Sequence, residues 1–278
     1  MLNFKNYISN KERGLSIVCH RALWGKYPEN SISAIQNAIN SNFSIVEIDV
    51  RKSIDGDFYL MHDEDLQRTT NISGKISDTP SSIINGANLK KGNGIENIIS
   101  NENIPSLKSV LEKFKENILF DIDVKNQLDR QSLISFINEN KFQGFVDVKK
   151  PLENIYEAEE HIKNELNSEI IKMIVLNITN QSSDEIYKII NLTKPEIVEI
   201  NFNNVSVLRE VLEICMKKNI AVWVNTLNGV PNGGFTDSFA LKFPNECWGS
   251  LISQGVSIIQ TDHPSILKHW YESVFLAN

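Results

Sequence analysis

Residues 45–62 read IVEIDVRKSIDGDFYLMH, two extended apolar runs separated by too few residues for a crossover helix. Asp55-Gly56 lies between the runs, and Asp-Gly favours a two-residue type I′ turn, which needs positive φ at both central residues. The spacing therefore predicts a β-hairpin in which Asp49 lies opposite His62, on the same side of the ribbon. Because side chains alternate along a strand, Glu47 and Asp49 are predicted to face one way.

Outward from this hairpin, short β-branched runs alternate with helical patterns, which is typical of βαβ units and a parallel sheet. With 58–62 assigned to the antiparallel arm of the hairpin, eight parallel strands and eight helices remain. The strands are predicted at 16–20, 45–50, 118–124, 144–149, 171–178, 196–202, 220–226 and 256–261, and the helices at 31–41, 106–115, 129–140, 152–166, 184–192, 205–218, 246–254 and 265–275.

Eight β/α units in 278 residues predict the α/β class and a (β/α)8 TIM barrel. A doubly wound sheet is the rival architecture, but it rarely needs eight repeats. Residues 71–102, rich in Asn, Gly and Ser, break the rhythm, and we predict an insertion on the rim at about 64–105. Residues 1–278 are therefore expected to form one catalytic domain.

Composition limits the partners. The 28 Lys and Arg against 35 Asp and Glu give a net charge of -7, and without a basic run we expect no nucleic-acid binding. No apolar stretch approaches the roughly 18–20 residues that span a bilayer, so no stable membrane insertion is expected. A polar N-terminus without a signal-peptide core predicts a cytoplasmic protein. Three widely spaced cysteines make a disulfide framework or zinc site improbable, and no surface stripe predicts an oligomer interface, so the oligomeric state stays open.

Ionisable residues fall where the predicted strands end, which is the edge at which a TIM barrel has its chemistry. They are His20 and Arg21 after the first strand, Glu47 and Asp49 on the second, Asp123 and Lys125 on the next parallel strand, and His62 on the hairpin arm. Taken singly, a strand-end histidine is more often structural, and Glu47 with Asp49 could equally form a solvated strand face. Their joint position at strand ends favours a functional site.

Three carboxylates placed together concentrate negative charge, which a hard divalent cation relieves. Oxygen ligands favour Mg²⁺ or Ca²⁺ over zinc. Two histidines, an arginine and a lysine around such a cation suit a phosphate ester, because the cation, Arg and Lys neutralise phosphoryl oxygens while the histidines exchange protons. The residues therefore predict phosphoester chemistry.

Several motifs resemble the glycerophosphodiester phosphodiesterase family in order and spacing. They are His20-Arg21-Ala22, Pro28-Glu29-Asn30-Ser31, Glu47-Ile48-Asp49-Val50, Asp55-Gly56, His62-Asp63 and Leu66-x-Arg68-Thr69-Thr70, then Ile104-Pro105-Ser106-Leu107, Asp123-Val124-Lys125, Trp223-Val224-Asn225 and Thr261-Asp262-His263-Pro264. The resemblance spans nearly the whole chain, although 126–195 contains no family motif. It implies a (β/α)8 barrel with an insertion after the hairpin, and hydrolysis of small-molecule glycerophosphodiesters to glycerol 3-phosphate and an alcohol.

The resemblance also implies residue roles. By motif position, His20 and His62 form the general acid/base pair, Glu47, Asp49 and Asp123 hold one divalent metal ion, Mg or Ca, Arg21 and Lys125 bind the phosphate, Glu29 orients Arg21, and Trp223 forms a wall of the glycerol or alcohol pocket. The family mechanism implies that the substrate's neighbouring hydroxyl attacks phosphorus, with one histidine taking its proton and the other protonating the leaving alkoxide. Water then opens the cyclic phosphate with the roles reversed.

Two residues depart from the family pattern: Ala22 replaces a glycine, and Asp123 replaces a glutamate that is one methylene longer.

Two other functions stay open. A phospholipase D-like barrel acting on intact lipids needs an exposed apolar patch, and the acidic balance argues against it. A non-catalytic phosphodiester-binding barrel is disfavoured because both histidines, Arg21, Lys125 and the three carboxylates are retained.

Overall fold

The computed structural model describes residues 2–165, 169–178 and 182–276, which divide into two compact units. The first unit comprises residues 2–3 and Cys19–Val146, and the second comprises Phe4–Val18 and the described residues from Asp147 onward. All eight predicted parallel strands and the hairpin arm are present. Every predicted helical segment is present too, but residue 166, where one predicted helix ends, lies outside the described residues.

The strands are β1 Ser16–Cys19, β2 Ile45–Lys52, β3 Phe58–Leu60, β4 Asn88–Lys90, β5 Ile99–Asn103, β6 Leu119–Val124, β7 Val146–Val148, β8 Lys150–Leu152, β9 Met173–Asn177, β10 Ile197–Asn201, β11 Ala221–Asn225 and β12 Ile258–Thr261. The α-helices are α1 Phe4–Ser9, α2 Ile32–Asn40, α3 Ser81–Ile84, α4 Leu107–Phe114, α5 Arg130–Glu139, α6 Ile155–Glu165, α7 Ser183–Thr193, α8 Val205–Lys218, α9 Asp237–Ala240, α10 Ser250–Ser253 and α11 Pro264–Phe275. The predicted strand 144–149 is divided at Lys149 into β7 and β8, and the predicted helix 246–254 begins as a π-helical turn, Asn245–Gly249, before α10.

In the first unit, β2 pairs in parallel with β6, and this register positions the carboxylates. Glu47 lies beside Asp121 and Asp49 lies beside Asp123. Both strands are almost entirely buried, as expected for parallel strands that are covered on both faces. Buried carboxylates in such strands need compensating partners, and the candidate site supplies them.

The β2–β3 hairpin exists, but its predicted turn and register are wrong. The pairs are Val50 with Leu60 and Lys52 with Phe58, which puts Met61 rather than His62 opposite Asp49. The loop has three residues, 54–56, because Ser53 N–H donates to Asp57 O at 2.9 Å. Gly56 alone takes the left-handed conformation there, with φ +93°, and this geometry belongs to three-residue hairpins that contain a type I turn.

The predicted insertion, 64–105, shares a small apolar core with two residues of the preceding hairpin arm. This core is made of Tyr59, Met61, Leu66, Ile76, Ile84, Ala87, Leu89 and Ile104. The antiparallel pair β4–β5 and helix α3 pack within it, so the segment has regular structure that its polar sequence did not predict. Residues 64–105 are therefore folded, and in the chain they connect β3 to α4.

In the second unit, β8, β9, β10, β11 and β12 are successive parallel neighbours. Helices α6, α7 and α8 pack over them through a continuous apolar core. The N-cap residue Ser182 accepts a hydrogen bond from Glu185 N–H at 3.3 Å, which fixes the start of α7. Among the described residues, no helix combines the length and apolar character needed to cross a membrane.

Candidate active site

Three carboxylates of the first unit converge where β2 and β6 pair side by side. One ligand oxygen from each of Glu47, Asp49 and Asp123 lies within 4.8 Å of the others. Glu47 is 2% exposed and Asp49 is fully buried, whereas Asp123 is partly open to solvent. An all-oxygen set of this size suits Mg²⁺ or Ca²⁺. Asp123 reaches the cluster although it is a methylene shorter than the glutamate of the family pattern.

The turn after β1 wraps around Glu47 through backbone donors. Arg21 and Ala22 both have left-handed backbone conformations, with φ 52° and 64°. This geometry directs Arg21 N–H to Glu47 Oε2 at 2.8 Å and Ala22 N–H to the Glu47 carbonyl at 2.9 Å. Glycine accepts such a conformation without a Cβ penalty, so the backbone explains why the family has glycine where this chain has Ala22.

The Arg21 guanidinium is fixed between two buried carboxylates. Its Nη1 donates to both oxygens of Glu29 at 3.1 Å, and its Nε lies 3.4 Å from Asp49 Oδ2. Burial by itself lowers the pKa of Arg21, but the charges of Asp49, Glu29 and Glu47 outweigh that effect and raise it. A permanent cation with a constrained orientation is therefore available for an anionic ligand.

Asp49 is the electrostatic centre of the cluster. Asn30 Nδ2 donates to Asp49 Oδ2 at 2.8 Å while Asp49 N–H donates to Asn30 Oδ1 at 3.0 Å. Lys125 Nζ lies 2.7 Å from Asp49 Oδ1 and 2.6 Å from Asp123 Oδ2. Burial raises the pKa of Asp49, but Lys125, His62, Arg21 and His20 together hold that pKa well below its usual range. Asp49 is therefore ionised at neutral pH.

His62 is held by the carboxylate that follows it. Its Nδ1 lies 2.7 Å from Asp63 Oδ1, so the neutral imidazole has its proton on Nδ1 and leaves Nε2 as a proton acceptor. Burial lowers the pKa of His62, with Lys125 and Arg21 acting in the same direction, while Asp49 and Asp63 oppose them. The net shift is downward, which keeps the ring neutral and basic at neutral pH.

No role was predicted for Arg68 from its sequence position, yet it is a central contact of the site. Its guanidinium donates to Asp63 Oδ2 at 2.5 Å, to Asp63 Oδ1 at 3.0 Å and to Glu29 Oε1 at 2.7 Å. Arg68 thus connects the carboxylate behind His62 to the carboxylate behind Arg21. Its hydrogen bonds to Asp63 are the main reason that the pKa of Asp63 is lowered to about 2. Its place in the Leu66-x-Arg68-Thr69-Thr70 motif was the available signal.

Of the remaining predicted site residues, His20 belongs to the first unit and Trp223 to the second. His20 directly follows β1, is half-buried, and its charge acts on Asp49. Trp223 belongs to the second unit, where it is fully buried on β11. Its Nε1 donates to Asn225 Oδ1 at 2.7 Å, and Lys149 Nζ lies 5.1 Å from its ring centroid. The predicted role of Trp223 as a pocket wall stays a prediction.

Comparison with known proteins finds similarity to glycerophosphodiester phosphodiesterases. A glycerophosphodiester phosphodiesterase of Bacillus altitudinis is 33% identical over 119 residues, 41% of this chain and 46% of that protein. The chain thus spans about half the length of the curated relatives it matches. A family described as a domain of unknown function matches residues 172–271.

Solved structures match over nearly the full length. A glycerophosphoryl diester phosphodiesterase from Parabacteroides distasonis superposes with a TM-score of 0.80 at 20% identity, covering 100% of this chain and 95% of that one. An Oleispira antarctica phosphodiesterase in complex with the product sn-glycerol-3-phosphate has a TM-score of 0.66 at 23% identity, with 92% and 96% covered. These matches confirm the (β/α)8 barrel, and the names of the relatives and neighbours confirm the family resemblance.

Proposed function

We propose that this chain, a relative of the glycerophosphodiester phosphodiesterases, hydrolyses glycerophosphodiesters to glycerol 3-phosphate and an alcohol with the help of one divalent metal ion. The observation that supports this most is the cluster in the first unit, where three carboxylates, Arg21 and Lys125 lie together beside His62. Such a set can bind a cation and a phosphodiester at once. A phosphodiester bound there would lie among groups able to exchange protons.

Glu47, Asp49 and Asp123 would hold the metal ion, and they fit that role because their oxygens lie within 4.8 Å of one another and carboxylate oxygens suit a hard divalent cation. When bound, the ion would neutralise charge on the phosphoryl oxygens and stabilise the pentavalent transition state. Lys125 and Arg21 add two positive charges beside the same carboxylates. Either Mg²⁺ or Ca²⁺ satisfies this donor set.

His62 and His20 would exchange protons with the reacting oxygens. His62 is suited to accept one, because Asp63 holds its Nδ1 proton and leaves Nε2 basic. In the first step the substrate's C2 hydroxyl attacks phosphorus, one histidine takes the hydroxyl proton, and the other protonates the leaving alkoxide. Water then opens the cyclic phosphate with the two histidines in exchanged roles. Arg21 and Lys125 orient the phosphoryl oxygens throughout.

Release of glycerol 3-phosphate from glycerophosphocholine and glycerophosphoethanolamine tests this proposal, with EDTA, Mg²⁺ or Ca²⁺ added in turn. We expect release with one or both ions and none in EDTA. A folded sample that releases nothing under any condition, yet binds glycerophosphocholine, would instead favour the non-catalytic phosphodiester-binding barrel. Where both substrates are hydrolysed, the one that is hydrolysed faster identifies the preferred head group.

A further inference from the structure

The second unit contains a buried ion pair that the proposed mechanism does not use. Lys149 Nζ lies 2.9 Å from Glu199 Oε2 and donates a hydrogen bond to Gln260 Oε1 at 3.4 Å. The Lys149 side chain is 8% exposed and the Glu199 side chain 5%. Removing two charges from water is unfavourable, and apolar side chains of the same volume often stabilise a protein as well as a buried ion pair does. Stability alone therefore does not account for the pair, whereas an effect of its charges on a ligand would.

The ion pair completes a ring of contacts around Trp223. The register of β10 and β11 places Glu199 beside Trp223. Trp223 Nε1 donates to Asn225 Oδ1 at 2.7 Å, and Asn225 Nδ2 donates to Glu199 Oε1 at 2.9 Å. Lys149 Nζ, the partner of Glu199, lies 5.1 Å from the centroid of the Trp223 ring. The indole is thus held at its edge by an amide and at its face by an ammonium group.

Lys149 lies where an aromatic site would bind a cationic ligand. The face of a tryptophan attracts a cation within about 6 Å of the ring centroid, and quaternary ammonium ligands such as choline are bound in this way. In this chain the ammonium of Lys149 already takes that place, and Trp223 is fully buried. A choline group approaching the indole therefore meets a like charge.

The other groups of the ring suit an uncharged alcohol. The active sites of (β/α)8 barrels are built at the carboxyl ends of the strands, and Asn225 is the last residue of β11. Lys149 and Glu199 neutralise each other, while the side-chain amides of Asn225 and Gln260 each carry both donors and an acceptor. Polar groups without net charge match the hydroxyls of an alcohol such as glycerol.

We propose, building on the proposed function and on the predicted role of Trp223 in the alcohol pocket, that Lys149 and Glu199 determine which alcohol the substrate carries. Uncharged, hydroxylated alcohols are preferred over cationic ones. Lys149 disfavours a cationic alcohol at the indole, and Glu199 keeps the charge of Lys149 compensated. Glycerophosphocholine remains a substrate but is hydrolysed less efficiently than glycerophosphoglycerol.

Three substrates test this inference on the unmodified protein. They are glycerophosphoglycerol, glycerophosphocholine and the neutral isostere of the latter, in which a carbon atom replaces the choline nitrogen. We expect kcat/KM for glycerophosphoglycerol to exceed that for glycerophosphocholine by about tenfold, the order of effect of one charge in a partly buried site. The neutral isostere should be hydrolysed at least as efficiently as glycerophosphocholine. A preference for glycerophosphocholine over its isostere overturns the inference.

Single variants of the ion pair should move the selectivity in opposite directions. Lys149→Met removes the resident cation and leaves the Glu199 carboxylate, so the ratio of kcat/KM for glycerophosphocholine to that for its isostere should rise about tenfold. Glu199→Gln keeps an acceptor for Asn225 but leaves Lys149 without a counter-charge, so the same ratio should fall about tenfold. The double variant carries neither charge and should restore the ratio of the unmodified protein. A loss of packing would not reverse the sign between the two single variants.

A surface ion pair of the same unit provides the matched control. Lys5 Nζ lies 2.9 Å from Glu196 Oε1, the separation found for the buried pair, and the Lys5 side chain is 65% exposed. Lys5→Met should leave the ratio unchanged. A ratio that shifts in the same direction in both single variants, or in neither, overturns the inference while the proposed function stands. No hydrolysis of any of the three substrates by the folded, unmodified protein with Mg²⁺ or Ca²⁺ overturns the proposed function as well.

Discussion

Replacing Arg68 with methionine should slow the reaction without touching the metal ligands or either histidine. The variant removes four hydrogen bonds, two to Asp63, one to Glu29 and one to the Asn93 carbonyl. Asp63 would still accept the hydrogen bond from His62, but it would have lost its ion pair with Arg68. Glu29 would retain only its ion pair with Arg21. Because misplacement of a reacting group by an ångström can cost about 100-fold, we expect kcat/KM to fall about 10- to 100-fold.

The acid limb of the pH profile of kcat/KM provides a second measurement, which a loss of packing alone would not shift. Burial, Lys125 and Arg21 lower the pKa of His62 in the intact protein. Arg68, which is paired with Asp63, places a positive charge next to the carboxylate that opposes this shift. Without Arg68, the uncompensated charge of Asp63 favours the imidazolium, so the pKa of His62 should rise. The acid limb of Arg68→Met should accordingly move to higher pH.

Stability should change in a defined pH window. The pKa of Asp63 is about 2 in the folded protein, below the roughly 3.9 of an unfolded chain. This depressed pKa stabilises the fold above about pH 4, and the stabilisation is lost as the pH falls from about 4 to 2. Because Asp63 is partly exposed, we discount its contribution to about 1 kcal/mol. Arg68→Met should lose that amount at pH 7 in urea unfolding.

Two control variants make this test specific. Arg209→Met removes an exposed arginine of the second unit and should leave the kinetics unchanged. Arg68→Lys keeps the charge but not the planar fork that spans Asp63 and Glu29, so it should recover only part of the rate. A kcat/KM for Arg68→Met within twofold of the unmodified protein, with an unmoved acid limb, would refute the positioning role of Arg68.

Four further variants test other parts of the site. His20→Ala and His62→Ala should each lower kcat by about 10²- to 10⁴-fold, while the exposed His269→Ala serves as control; near-normal turnover in either of the first two would remove that histidine from the mechanism. Glu47→Gln should raise the Mg²⁺ or Ca²⁺ concentration needed for half-maximal activity by about tenfold or more, and an unchanged metal titration would exclude Glu47 as a ligand. Ala22→Gly should raise the free energy of unfolding by up to about 1 kcal/mol, because it relieves a left-handed alanine at a smaller cost in chain entropy; a loss of stability in urea unfolding would contradict that account.

The sequence was sufficient to predict the strand and helix order, because parallel strands covered on both faces are nearly continuous apolar runs. It was also sufficient to predict that Glu47, Asp49 and Asp123 meet, since adjacent parallel strands in register place their ends together. The hairpin register was not predictable from Asp55-Gly56 alone. The dipeptide occurs in both two- and three-residue loops, and hydrogen bonds from Ser53 and Gly56 decide between them.

Arg68 and the insertion show where sequence reasoning failed for a physical reason. The contacts of Arg68 join residues 29, 63 and 93, and no local periodicity predicts which distant carboxylates a long side chain will reach. The β4–β5 hairpin contains mostly polar residues, so the alternation that identifies a half-buried strand is weak there. Leu89 is the one buried residue of these two strands, and a single residue gives no periodic signal.

The measurement that tests the central claim most directly is ³¹P NMR of glycerophosphocholine during turnover in H₂¹⁸O with Mg²⁺ or Ca²⁺. The account predicts that the phosphodiester resonance is replaced by that of glycerol 3-phosphate, with ¹⁸O on the phosphate and choline released unlabelled. The resonance of the cyclic glycerol phosphate intermediate should appear after turnover begins and before that of glycerol 3-phosphate. Formation of phosphocholine and glycerol, or a phosphodiester resonance that persists with both ions in a folded sample, would contradict it.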